Sequence, residues 1–453
     1  MPEEIDYSSL AVGLQSIDFA SNDMDFETNS MPLFPFSPSW LPNNLSYAVY
    51  SLDDTKAACE KDNLNIWARF VHVDSQVFAN VRATIFTPEK QSELDKKKNI
   101  KRFAGERVLG EIQSTKIWFG ETGSSLVAGD SNVALLLSGA EMNALGVGVY
   151  DVFWLWEYQE LVKQEDGNWI TKKGDGDGDG DDDAGWTVFE RSMHRVFVTL
   201  DTPQHPWTAT PFRDLIQSDY SKCPIWTEAL IWACDWARES QSIDEAGKKI
   251  SNRLFKSKKF KYQLGTAYTS EEIPEQDKKL YLAENTTSLE LSKFIERLEG
   301  GDGNGELINC VDCAFIVATL TNLLGGDLQI GTLEPSPSDD ISPTEDNKFD
   351  VNPLKLIGTT IEDSESTTFF SSHTIAWRSP ISGVLDINHV DNIVFDACLQ
   401  FVKEKGVKKT DSPSGLLLGD DKDSSGYRFR LATKIGLEKC IPQADTRRTI
   451  RIV

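Results

Sequence analysis

Hydrophobic and polar side chains alternate with a period of two between residues 45 and 208. Three runs are clear, Val77–Ile85, Tyr150–Tyr158 and His194–Leu200. Because successive side chains of a strand point to opposite faces, this alternation predicts strands that bury one face. Glycine-rich breaks separate the runs, and no helical period interrupts them. The sequence therefore predicts an antiparallel β-sandwich over residues 45–208.

The pattern becomes helical after residue 208. Pro224 opens a segment with one broad apolar face, and residues 287–299 also read as a helix. Residues 311–324 are apolar on nearly every face, which predicts a central, buried helix. The residues from Tyr427 onwards read as strands. We expect a second, α+β domain over residues 209–453.

Some segments show no sustained period. Residues 1–44 are rich in polar residues and proline and are expected to be a flexible leader, and residues 333–366 an acidic, mobile insertion. Within the sandwich, Gly174–Asp183 alternates Gly and Asp. Counted as a calcium-binding loop from Asp175, its twelfth position is Trp186, where a bidentate Glu is required. We interpret it as a hairpin tip, with weak cation binding left open.

Composition narrows the classes of function. A formal net charge of −25 argues against nucleic-acid partners and against attachment to anionic membranes. No run of 18 apolar residues and no signal-peptide pattern is present. The seven cysteines are odd in number and irregularly spaced, which favours free thiols in a reducing compartment. We expect a cytoplasmic protein, with signal-independent export left open.

The candidate chemistry begins at Cys310, between Asn309 and the apolar helix. Asn309 is a good N-cap, which places Cys310 at the first helical position, where backbone N–H groups and the helix dipole favour a thiolate. His373 begins a predicted strand and is the candidate base, and His389, in a predicted turn, is its rival. Two carboxylates follow the histidine strand, Asp386 and Asp396, and the residues leave open which one orients the base.

The order cysteine, histidine, aspartate resembles the transglutaminase-like superfamily, a branch of the papain-like thiol enzymes. Its cysteine motif is matched in register by Cys310, Asp312, Ala314 and Leu324-Gly325, and its histidine motif more loosely by His373-Thr-Ile-Ala-Trp377. Its aspartate motif fits Val394-Phe395-Asp396 and, almost as well, Val384-Leu385-Asp386. Asn309 and Cys313 depart from the family pattern. The resemblance covers about residues 305–400.

The resemblance implies an α+β thiol enzyme that acts on amide bonds of a protein or peptide substrate. Its catalytic residues are Cys310, His373 and Asp396, with Asp386 as the alternative, and it uses no cofactor and no metal. The acyl group passes to water or to an amine. We expect an oxyanion hole made by the Cys310 N–H and a second donor near Trp226 or Trp232.

Three other interpretations remain. Cys310 and Cys313 form a CxxC pair, but a zinc site needs about four ligands, and His373, Cys398 and Cys440 are the remaining candidates. A redox pair at a helix start is the second interpretation. The third is a catalytically inactive protein that binds partners through its β-sandwich.

Overall fold

The structure is a computed structural model. It describes residues 12–19, 26–28, 31–32, 46–51, 63–72, 77–86, 108–119, 126–127, 133–136, 145–171, 186–201, 203–207, 225–263, 280–282, 288–335, 348–360, 369–381, 385–403, 410–420, 422–444 and 451–452.

Strands and helices alternate irregularly along the chain. The strands are β1 (Val12–Phe19), β2 (Phe26–Thr28), β3 (Met31–Pro32), β4 (Ser46–Ser51), β5 (Asn63–His72), β6 (Val77–Phe86), β7 (Val108–Phe119), β8 (Leu126–Val127), β9 (Val133–Leu136), β10 (Gly148–Lys163), β11 (Trp169–Thr171), β12 (Thr187–Thr199), β13 (Ile225–Trp226), β14 (Lys261–Tyr262), β15 (Ser288–Leu289), β16 (Leu307–Ile308), β17 (Gln329–Pro335), β18 (Phe349–Asp350), β19 (Leu354–Leu356), β20 (Phe369–Phe370), β21 (His373–Arg378), β22 (Ile393–Phe395), β23 (Leu399–Val402), β24 (Thr410–Asp411), β25 (Leu416–Leu417), β26 (Cys440–Ala444) and β27 (Arg451–Ile452). The helices are α1 (Thr227–Trp236), α2 (Ile243–Lys256), α3 (Leu291–Glu299), α4 (Cys310–Leu323), α5 (Tyr427–Leu431) and α6 (Lys434–Lys439). Helices occur together with mostly antiparallel sheets, so the predicted α+β class is confirmed.

The chain divides into two compact units. The first comprises Met1–Met24 and Leu33–Thr199, and the second comprises Asp25–Pro32 and Leu200–Val453.

The first unit is built on one large sheet. Among the described residues its strand order is β1-β5-β9-β7-β6-β10-β12-β4, with β8 beside β5 and β11 beside β10. The three alternating runs of the sequence lie on β6, β10 and β12, which pair antiparallel, whereas β4 pairs parallel to β12. Trp154 and Trp156 are buried on β10, as the period of two requires. The three strands are confirmed, and their arrangement as a sandwich stays a prediction.

The second unit surrounds the helix that the sequence predicted to be central. Every side chain of α4 except that of Val311 is buried, which confirms that prediction. A five-stranded sheet in the order β25-β22-β21-β17-β26 lies beside it, and α1, α2 and β21 contact α4. The sheet brings the first residue of β21, His373, and the chain just beyond β22 towards the start of α4.

The prediction of strands from Tyr427 onwards is wrong for residues 427–439. This segment forms α5 and α6, and strand β26 begins only at Cys440. Tyr427 and Leu431, one helical turn apart, are both buried, and the Thr433 side chain caps α6 by accepting a hydrogen bond from Gly436 N. Helices this short fall below the window in which a period of 3.6 can be recognised.

Several expectations fall on residues that the structure does not describe. These are Gly174–Asp183, most of the expected leader at 1–44, and residues 336–347 and 361–366 of the expected insertion. Residues 348–360 of that insertion are described and contribute buried side chains, among them Phe349, Leu354 and Leu356. In the part of the chain that the structure describes, no helix is long and apolar enough to cross a membrane.

Candidate active site

The start of α4 is fixed by a reciprocal cap. The Asn309 side chain accepts a hydrogen bond from Asp312 N at 2.9 Å, and the Asp312 carboxylate accepts one from Asn309 N at 3.2 Å. Leu282 N donates to the same carboxylate at 2.7 Å. This capping box confirms the prediction that Asn309 is the N-cap and that Cys310 is the first helical residue.

Cys310 is nearly enclosed, with 8% of its surface exposed. Burial opposes ionisation of its thiol. Three contacts outweigh this effect of burial: those with His373, with the Thr374 backbone N–H and with the Tyr262 hydroxyl. The pKa of Cys310 is therefore lowered from its ordinary value. The thiol therefore lies where a thiolate is stabilised.

His373 is buried at the start of β21, and its ring stacks on Phe370 with centroids 4.9 Å apart. Its Nε2 lies 2.9 Å from Oδ2 of Asp396, which leaves Nδ1 as the ring nitrogen for the thiol. Nδ1 is buried and has no hydrogen-bond partner among the described residues, so its interaction with the thiol is an electrostatic one in this structure. Burial favours the neutral ring, but Asp396 and Cys310 outweigh it and raise the pKa of His373 to about 10.

Asp396 directly follows β22 and is the carboxylate that contacts His373. Its Oδ1 accepts a hydrogen bond from Cys398 N at 2.8 Å, and its Oδ2 accepts one from the Tyr427 hydroxyl at 2.7 Å. Burial would raise its pKa, but His373, Cys398 N and Tyr427 together hold the pKa of Asp396 below its ordinary value. The structure thus places Cys310, His373 and Asp396 in one chain of contacts.

The other candidates lie elsewhere. Asp386 is exposed, and its Oδ1 accepts a hydrogen bond from Asn388 N at 3.0 Å. The rival base His389 uses Nδ1 to accept a hydrogen bond from Asp391 N within its own turn, at 3.3 Å. Among the described residues, the contacts of Asp386 and His389 are with their own turn and not with the Cys310 thiol.

Two tyrosines of the site were missed by sequence reasoning. Tyr262 belongs to the two-residue strand β14, and its hydroxyl contacts the Cys310 thiol. Tyr427 opens α5 and contacts Asp396. No motif marks either residue, because each lies in an element too short to show a periodic pattern. Of the two expected donors, Trp232 packs on Trp236, with ring centroids 6.0 Å apart, and the Trp226 side chain lies outside the described residues.

Three neighbouring thiols stay protonated. Burial raises the pKa of Cys313 and of Cys398 well above the ordinary value, with the nearby carboxylates adding to the effect. Burial also raises the pKa of Cys440 to about 12. None of these cysteines forms a disulfide with Cys310.

The zinc-site interpretation requires several donor atoms to lie close together. Donor atoms of His373, Asp396 and Cys398 lie within 4.8 Å of one another, and Cys440 is not a member of this group among the described residues. The imidazole and the carboxylate already bond directly to each other, and Cys398 contributes its backbone N–H to the carboxylate. Hydrogen bonding therefore accounts for the grouping.

No protein-family model matches the sequence, and no curated protein is similar to it. Among solved structures, red sea bream transglutaminase is similar at a TM-score of 0.35 and 11% sequence identity. The likeness covers 80% of this chain and 52% of the sea bream protein. The chain thus spans about half the length of that protein.

Proposed function

We propose that the second unit is a transglutaminase-like thiol enzyme that cleaves an acyl group from an amide through a Cys310–His373–Asp396 triad. The observation that carries the proposal is the chain of contacts from the Cys310 thiol through His373 to Asp396, at the start of a buried helix. Opposite shifts of the two pKa values support a thiolate–imidazolium pair, since the pKa of the thiol is lowered and that of the imidazole is raised.

The first half-reaction uses this pair directly. The Cys310 thiolate attacks the amide carbonyl carbon, and the tetrahedral intermediate collapses as the C–N bond breaks. The His373 imidazolium gives its Nδ1 proton to the leaving amine, which leaves a thioester on Cys310 and a neutral imidazole. Asp396 keeps Nε2 protonated and the ring aligned, as the orienting carboxylate of a triad does.

The second half-reaction reverses the proton transfer. His373 takes a proton from water or from an amine, the resulting nucleophile attacks the thioester, and the Cys310 thiolate leaves. Hydrolysis and deamidation use water, and cross-linking uses an amine. The Cys310 backbone N–H supports an oxyanion in both steps, because the first N–H groups of a helix have no partner within it.

The remaining assignments belong to the same proposal. The first unit is proposed to be a β-sandwich that recognises the protein or peptide substrate, and the protein is proposed to act in the cytoplasm without a nucleic-acid or membrane partner. The order of the cysteine, histidine and aspartate motifs supports the family assignment. In an inactive protein, by contrast, nothing would require the thiol, the imidazole and the carboxylate to stay in contact.

Acylation by an activated ester tests the proposal without knowledge of the substrate. The protein is incubated with p-nitrophenyl acetate, and acetylated peptides are located by mass spectrometry. We expect an acetyl thioester on Cys310, with acetylation there slowed by roughly 100-fold in His373→Ala because the base is lost. The matched control is Cys313→Ala, which removes a protonated thiol one turn deeper on the same helix.

Two results would refute the enzyme. One is acetylation spread evenly over the cysteines. The other is an acetylation rate at Cys310 that is the same in the unmodified protein and in His373→Ala. Either result would favour the alternative, a binding module that has kept the fold. If Cys310 is acetylated, a primary amine added afterwards separates the two acyl acceptors, since faster loss of the thioester indicates amine transfer.

A further inference from the structure

The buried carboxylate of Asp396 is held from two sides. Its Oδ2 receives hydrogen bonds from His373 Nε2 at 2.9 Å and from the Tyr427 hydroxyl at 2.7 Å. Its Oδ1 receives the Cys398 backbone N–H at 2.8 Å. The side chain of Asp396 is 1% exposed, so these donors stand in for the water that an ionised carboxylate would otherwise require.

We propose that Tyr427 is a positioning residue, which keeps the Asp396 carboxylate ionised and aimed at Nε2 of His373. This inference rests on the function proposed above, since it concerns the orienting member of that triad.

A phenol suits this position better than a charged donor. Burial, together with the neighbouring Asp396 carboxylate, raises the pKa of Tyr427 well above its ordinary value, so the hydroxyl stays protonated and can only donate to the carboxylate. A lysine or arginine here would neutralise the carboxylate and weaken its attraction for the imidazolium. The neutral hydroxyl stabilises the Asp396 carboxylate without cancelling its negative charge, so the carboxylate can still attract the His373 imidazolium.

The packing of α5 fixes where this hydroxyl lies. The Tyr427 ring is fully buried and packs against Phe401, with ring centroids 5.7 Å apart. The next residue, Arg428, anchors the helix twice, through N to Leu418 O at 3.1 Å and through Nε to Cys440 O at 3.0 Å. A hydroxyl held by such contacts needs little reordering to keep its hydrogen bond.

Among the described residues, the titratable groups that interact with Asp396 are His373, Tyr427, Cys313 and Cys398, and burial keeps both thiols protonated. Ser414 adds a neutral contact, with its hydroxyl donating to the backbone O of Asp396 at 2.9 Å. Removing the Tyr427 hydroxyl therefore removes a stabilising contact of the anion without changing any charge.

The test is Tyr427→Phe, which keeps the ring and its packing and deletes the hydroxyl. The alkylation rate of Cys310 by iodoacetamide is measured from pH 4 to pH 9. We expect the acidic limb of the profile to move to higher pH by about one unit. The substitution removes a hydrogen bond to the charged Asp396 carboxylate, and such a bond is worth roughly that shift. At the foot of the limb the rate falls by roughly tenfold, whereas near pH 8 it stays within about threefold.

Tyr281→Phe is the matched control. Its hydroxyl is also buried and donates at 2.7 Å, but to the backbone O of Gly305. This variant reports the effect of losing any buried phenol hydroxyl, and its profile should coincide with that of the unmodified protein. Equal profiles for Tyr281→Phe and Tyr427→Phe would overturn the positioning role.

A double variant tests whether Tyr427 acts through Asp396. In an Asp396→Asn background, adding Tyr427→Phe should change the rate by less than about twofold, because no carboxylate remains to be positioned. The same shift in both backgrounds would overturn the proposal. If Tyr427→Phe fails to fold, 3-fluorotyrosine at position 427 decides instead. Its hydroxyl is the stronger donor and should move the limb to lower pH, and an unmoved limb overturns the inference.

The outcomes separate the inference from the proposed function. If the unmodified protein shows no selective, His373-dependent alkylation of Cys310, the proposed function fails. If that selectivity is present but Tyr427→Phe leaves the acidic limb of the profile at the same pH, only the positioning role fails.

Discussion

At the scale of single residues, surroundings decide which thiol can react. Burial raises the pKa of Cys313, Cys398 and Cys440, whereas His373 contact lowers that of Cys310. The sequence indicated Cys310 because its position relative to a helix start is a local property. The choice between Asp386 and Asp396 is not local, since both follow an apolar pair in the sequence. That choice depends on which of the two segments the folded sheet brings into contact with His373.

Asp396→Asn and Asp386→Asn separate the two carboxylates. Asp396→Asn should slow alkylation of Cys310 by roughly 10- to 100-fold at neutral pH, because the imidazolium loses its buried counter-charge. Asp386→Asn is the matched control, since Asp386 is exposed and bonds within its own turn, and it should leave the rate unchanged. The reverse order of effects would assign the orienting role to Asp386.

Asp396 also gives stability a dependence on pH. Its folded-state pKa is lowered, so the stabilisation it provides is present above the unfolded-state pKa of about 4 and is lost as pH falls through the folded-state value. Urea unfolding should therefore show a gap between the unmodified protein and Asp396→Asn that is widest near neutral pH and narrows in acid. A gap that widens in acid would contradict the lowered pKa.

At the scale of elements, the long periodic segments were predictable and the short ones were not. The buried helix α4, the strand at His373 and the alternating strands of the first unit each extend over enough residues for a period to show. Helix α5 has five residues and α6 has six, and β14 has two. The two tyrosines of the site come from these short elements, because tertiary packing rather than local pattern forms them.

Packing of α2 against β22 leads to a prediction about Gly247. A Cβ atom at Gly247 would lie 2.8 Å from Cδ1 and Cε1 of Phe395, the residue before Asp396. Gly→Ala in a helix ordinarily gains up to about 1 kcal/mol. Here we expect Gly247→Ala to lower the free energy of unfolding by about 1–3 kcal/mol, because the ring must move in a packed core, and to slow alkylation of Cys310.

Arg253→Ala, at an exposed position of the same helix, is the control for Gly247→Ala. It should change the free energy of unfolding by no more than about 0.5 kcal/mol. Both variants are compared by urea denaturation monitored by circular dichroism. A Gly247→Ala protein more stable than the unmodified one would show that α2 and Phe395 are not in close contact.

At the scale of the whole molecule, the proposed chemistry belongs to the second unit. Every group of the site lies between Leu200 and Val453, and the change from alternating to helical pattern near residue 208 had indicated two domains. Composition set limits on partners through the net charge of −25. It could not show how distant segments meet, because the contacts of Cys310 with Tyr262 and His373, and of Asp396 with Tyr427, depend on the folded chain.

The most direct measurement of the central claim is the iodoacetamide rate at each cysteine of the full chain, read by peptide mass spectrometry. We predict that Cys310 reacts at least roughly tenfold faster than any other cysteine at pH 7, and that His373→Ala removes this advantage while leaving the other rates unchanged. Equal rates at all cysteines, or a fast Cys310 that does not depend on His373, would contradict a catalytic thiol at this site.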